Sequence, residues 1–217
     1  MEIKAKSLCG KRVRMRLIVT FFSTIASVFW GTPVIAEELK SADAFSHIRD
    51  KEQRSLALFG EMSKVIQHPR CMNCHPTSNS PYQGMTMRLH EPPVTRGEDN
   101  HGVPGMQCQT CHQDSNTTIT AQAESIKSIP GHPKWHLAPV EMGWVGKSLG
   151  EICRQIKDPT RNGNMDDEAL IHHMTKDTLV GWAWAPGEGR ESAPGSQQIL
   201  GNLTRAWLQS GAACPSS

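Results

Sequence analysis

The chain has 217 residues, with 23 Lys and Arg against 21 Asp and Glu, 37% hydrophobic and 6% aromatic residues, and 7 Cys beside 10 His. That length holds one domain or two small ones, and the near-balanced charge excludes a nucleic-acid binder built on a basic surface. The apolar fraction is low for a globular chain and aromatics are scarce, so part of the core is expected to come from something other than side chains.

Residues 1–36 carry the three parts of a secretory signal in order. Lys4, Lys6, Lys11, Arg12, Arg14 and Arg16 form a positive start, an uncharged stretch runs from Leu17 to Trp30, and Gly31 and Pro33 lead to Val34-Ile35-Ala36. Cleavage after Ala36 and a periplasmic location are predicted, an uncleaved anchor being the alternative. No later segment approaches the ~18 consecutive apolar residues of a membrane helix. The mature chain keeps 17 Lys and Arg against 20 Asp and Glu, a net charge of −3, and eight aromatics.

From Leu39 to Gln67 the apolar residues Phe45, Ile48, Leu56, Phe59, Met62 and Ile66 recur at three- and four-residue steps, interrupted at Glu52. This predicts a helix, stopped by Pro69. Two copies of one pattern follow, Cys71-Met72-Asn73-Cys74-His75 and Cys108-Gln109-Thr110-Cys111-His112. In an exported protein C-x-x-C-H is the attachment motif of c-type haem. Each thiol forms a thioether with one haem vinyl group, and the adjacent His reaches the iron as proximal ligand. Cys71, Cys74, Cys108 and Cys111 are therefore predicted to anchor two covalently bound haem c groups, with His75 and His112 on the irons. A shared thiolate zinc is disfavoured by the 33 residues between the pairs and by the His that follows each. A thioredoxin-like pair lacks its βαβ context.

Each iron has a sixth position. His90, in a turn-rich segment after the first motif, and His136, in a proline-stiffened loop beside Trp135, are the preferred distal ligands, with Met142 the best methionine. His68 is too close to Cys71 to cross its own haem, and it and Arg70 are candidates to bond propionates. Of His172 and His173 on one helix, only one can face inward.

Residues 76–107 show little periodicity. Ser148 to Asp158 reads as a short helix ended by Pro159, residues 161–164 as a turn, and a third helix starts at Asn164 or Met165 with Asp166, Asp167 and Glu168 in its first turn. Trp182 to Pro186 makes an aromatic corner, and Ser196 to Gln209 a final helix with Ile199, Leu200, Leu203 and Trp207 on one stripe. Cys153 and Cys214 are left as a pair and are predicted to form a disulfide in an oxidising compartment. The expected fold is mostly α with long ordered loops, a cytochrome c-like dihaem domain over 37–217. Within it, 37–125 carries both motifs and 126–217 is the helical half.

The runs His68-Pro69-Arg70-Cys71-Met72-Asn73-Cys74-His75-Pro76, Trp135-His136-Leu137-Ala138-Pro139 through Met142-Gly143-Trp144, and Leu179-Val180-Gly181-Trp182 followed by Pro186-Gly187 resemble a family of bacterial exported proteins labelled isoquinoline 1-oxidoreductase subunit. The resemblance spans nearly all of the mature chain. It implies a haem subunit passing electrons from a molybdenum hydroxylase, whose pterin and iron–sulfur patterns are absent from this sequence and belong to a partner chain. The expected function is a periplasmic dihaem c-type cytochrome relaying single electrons between redox partner proteins, such as that hydroxylase or the respiratory chain. The alternative is a small dihaem peroxidase with one open haem and Glu91 or Glu141 as its acid–base group.

Overall fold

The computed structural model describes residues 38–118 and 128–216. The signal segment predicted for residues 1–36, with its cleavage site, lies outside the described residues. A 3₁₀ turn at Ala42–Phe45 buries Phe45, and α1 (Lys51–Ile66) begins where the Asp50 carboxylate accepts a hydrogen bond from Gln53 N. The periodicity from Leu39 onward is thus shared between two elements, because Asp50 caps the helix and residues 46–50 are not helical. Pro69 does not merely stop α1. It occupies the first turn of α2 (Pro69–Met72), whose N-cap is His68.

The stretch between the motifs is held by two small hairpins, β1 (Tyr82–Gln83) with β2 (Arg88–Leu89) and β3 (Gly102–Val103) with β4 (Met106–Gln107). Gly84 at φ +72° and Gly105 at φ +84° supply the left-handed turn residues they need. The second hairpin runs directly into α3 (Cys108–Cys111), and β5 (Thr117–Thr118) pairs with β6 (Ser128–Ile129). These two-residue strands carry no alternation that periodicity could reveal.

The C-terminal half is helical: α4 (Leu149–Lys157), α5 (Asp167–Lys176), α6 (Thr178–Gly181) and α7 (Gln197–Gln209). A capping box joins Ser148 and Glu151 at the start of α4, and Ser196 caps α7. α5 starts at Asp167, not at Asn164 or Met165 as the sequence predicts, because Asp166 is its cap, accepting from Ala169 N, and Asn164 takes a left-handed conformation at φ +63°. α7 packs on both α1 and α5. Leu58, Phe59, Met62, Val65, Leu200, Leu203 and Trp207 are at most 2% exposed, and Phe59 meets Trp207 at 5.1 Å between ring centres. Gly201 lets α7 approach α5, since a Cβ there would lie 2.8 Å from that of Thr175. The first half therefore contributes α1 to the core of the second, and the described residues fall in one compact unit.

Cys153 of α4 and Cys214 beyond α7 form a disulfide. The tail is further tied down by Trp207 Nε1 donating to Ala213 O at 3.0 Å and Ala213 N donating to Ser55 Oγ at 2.8 Å. No helix among the described residues is long and apolar enough to cross a membrane.

Candidate functional site

α3 spans both cysteines of the second motif and ends at His112, whereas α2 ends at Met72 and the first motif continues through a turn, with Cys74 N donating to Cys71 O and His75 N to Met72 O, both at 3.1 Å. The four cysteines are free thiols. Burial pushes Cys71 up to about 12 and Cys74 up to about 11, with Cys108 of the other motif adding to the rise at Cys74. The two motifs, remote in sequence, are electrostatic neighbours in the fold.

His75 donates from Nδ1 to the Met142 carbonyl at 2.8 Å, and its ring stacks on Trp144 with centres 3.5 Å apart and planes 11° apart. His112 donates from Nδ1 to the Pro130 carbonyl at 2.5 Å and stacks on Trp135 at 4.3 Å and 3°. A carbonyl only accepts, so Nδ1 carries the proton and Nε2 presents a lone pair. Burial lowers His75 to about 3 and His112 to about 4, holding both rings neutral. A neutral imidazole whose outer nitrogen is bonded to a carbonyl is the form that ligates a metal.

One segment, residues 130–145, supplies the carbonyl and the indole to both histidines. It is fastened at several points: Gln109 Nε2 donates to Pro133 O at 3.0 Å, Leu137 N to Asn100 O at 3.0 Å, Ala138 N to Cys74 O at 3.1 Å and Trp144 N to His75 O at 2.8 Å. Gly143 permits the close pass, because a Cβ there would stand 2.8 Å from Pro76 O and 2.9 Å from Thr77 Cα. Nothing in the sequence signals which carbonyls are used; the two Trp residues were legible only as packing.

Arg96, 5% exposed, is a second organiser that pattern reading misses. Its guanidinium donates to Asn100 Oδ1 at 2.7 Å, to Pro76 O at 3.2 Å, to Ser78 O at 3.3 Å and to Ala138 O. It thereby joins the chain after the first motif to the strap. Arg70 Nε donates to Glu191 O at 2.6 Å while its guanidinium lies 5.3 Å from the centre of Trp182, which meets Trp135 edge-on at 5.0 Å. His68 accepts from Arg70 N at 3.2 Å, and its Nε2 lies 3.8 Å from Glu191 Oε1.

The remaining histidines divide by the state of their nitrogens. His132 has both engaged, Nε2 with Thr178 Oγ1 at 3.0 Å and Nδ1 accepting from Lys134 N at 3.1 Å, so it is a satisfied structural residue. His136 bonds Lys134 O through Nδ1 at 2.6 Å, and its ring lies 4.9 Å from that of His101. His90 bonds Pro92 O through Nδ1 at 2.9 Å, with its ring 6.1 Å from His112. His173 Nδ1 is held by Asp177 Oδ2 at 3.1 Å, while His172 on the same helix is exposed. Met142 is 5% exposed in the hydrophobic core, and its backbone carbonyl meets His75 Nδ1.

The donor set is chemically matched to a covalently attached haem. Two thiols and a carbonyl-bonded imidazole recur twice, and the buried donors Arg96 Nε, Trp144 Nε1 and Trp182 Nε1 have no acceptor among the described residues, as an anionic propionate would provide. Among the described residues no three or more His, Cys, Asp or Glu side chains group as ligands for a bare metal ion. A haem brings four nitrogens of its own and asks the chain for only one or two. No protein-family model, curated protein or solved structure matches this chain.

Proposed function

We propose that the protein is an exported dihaem c-type cytochrome that relays single electrons. The observation that carries this reading is the repeated tautomer: His75 and His112, each following a pair of free thiols in sequence, give Nδ1–H to a backbone carbonyl of one strap and have no hydrogen bond at Nε2 among the described residues. A bound haem supplies a one-electron iron couple at each motif. The chain's own contribution is to fix each imidazole by a carbonyl and an indole and to set the polarity around it.

The secretory signal supports export, since covalent haem attachment is an extracytoplasmic process in this reading. The family resemblance supports a redox partner such as a molybdenum hydroxylase, with the respiratory chain as the other side of the relay. Reductive titration of the exported protein tests the function: uptake of two electrons per chain, without turnover of peroxide, is expected. Failure to take up electrons overturns it, and rapid peroxide turnover would move the reading to the peroxidase.

A further inference from the structure

Two imidazoles that share one metal through Nε2, each nitrogen about 2 Å from the metal and about 1 Å from its ring centre, have ring centres about 6 Å apart. His90 and His112 stand 6.1 Å apart. Both are tied at Nδ1 to a backbone carbonyl, Pro92 and Pro130 respectively. Both therefore present a lone pair at Nε2, and no hydrogen bond among the described residues occupies either one.

His90 is held there by the first motif. Tyr82 N donates to Asn73 O at 3.2 Å, Asn73 Nδ2 donates to Gly84 O at 3.0 Å, and His90 N extends the β1–β2 ladder by donating to Pro81 O at 3.0 Å. Asn73 lies between Cys71 and Cys74, so the first motif fixes the hairpin that carries a histidine to the second.

Resting on the dihaem reading, we infer that His90 is the sixth ligand of the iron attached through Cys108 and Cys111, opposite His112. This assigns His90 across the motifs, from the hairpin that follows the first to the iron of the second.

The test uses the exported holoprotein, with haem content counted for every variant and the iron spin state read by electron paramagnetic resonance. Wild type is expected to be wholly low-spin. His90→Ala should keep both haems and turn one of them high-spin. His90→Met, which keeps a ligand at that place, should restore low spin with a raised potential. Unchanged spin in His90→Ala overturns the assignment while leaving the dihaem reading intact. Absence of haem from wild type overturns the dihaem reading itself. Should His90→Ala fail to fold, His90→Met decides by whether one potential rises.

Discussion

The indole stacked against each of His75 and His112 does two jobs, filling volume and restricting the ring to one plane. Trp144 is 3% exposed and stacked on His75 at 3.5 Å, whereas Trp135 is half-buried and stacked at 4.3 Å. Trp144→Ala is expected to cost about 3–5 kcal/mol by denaturant unfolding, and Trp135→Ala clearly less, because only the first leaves an enclosed cavity. Equal costs would mean that the two histidines are not backed differently. Arg96 shows why an Arg here is not replaceable by Lys: its fork reaches the chain after His75, the loop around Asn100 and the strap at once.

The strap of residues 130–145 matters as an element rather than as a set of side chains. Gly143→Ala puts a Cβ 2.8 Å from Pro76 O, so the strap must shift; a loss of about 1–3 kcal/mol and a changed environment at His75, with His112 unaffected, is expected from unfolding and from the two histidines' NMR signals. At α4, Glu151 closes the capping box, and its hydrogen bonds with Ser148, first the backbone N–H, hold its pKa below the usual carboxylate range. A depressed carboxylate contributes stability that is present above its unfolded pKa, about 4.3, and is lost as pH falls through the folded value. Glu151→Gln should therefore flatten the acid side of the stability profile and leave the neutral side little changed. An unaltered acid limb would remove Glu151 from that role.

Helix starts were readable where caps are local: Ser148 with Glu151 and Ser196 both act within three residues of themselves, whereas α5 starts two to three residues later than expected, behind its cap Asp166. The Cys-x-x-Cys-His spacing was equally local, and so were the turn at residues 161–164 and the apolar stripe of α7. What escaped the sequence is partly local and partly long-range. The cap at Asp50 was hidden by apolar steps that continue across it, and the two hairpins have strands too short for any alternation. The choice of the Pro130 and Met142 carbonyls and the fork of Arg96 depend on backbone distant in sequence. His132 illustrates the limit: nothing in the sequence shows that both of its nitrogens are already used.

At the scale of the molecule, the helical core of α1, α5 and α7 is conventional, and the motif half is held mainly by hairpins, a strap and buried polar groups. The disulfide joins α4 to the tail across 61 residues. Closing such a loop stabilises by roughly 4 kcal/mol in the chain-entropy description. Cys214→Ser is expected to lose up to about that amount without altering haem content, which ties the bridge to the core and not to the motifs. The scarcity of aromatics after residue 36 accords with the haems proposed above; if they complete the core, the apo chain should fold poorly and gain protection on haem attachment.

The most direct measurement is the intact mass of the protein recovered from the periplasm of a host that matures c-type cytochromes, read with its pyridine haemochrome spectrum. The expected result is a chain shortened at about Ala36 and carrying two haems through thioether bonds. A chain with no covalent haem, or with zinc in its place, contradicts it.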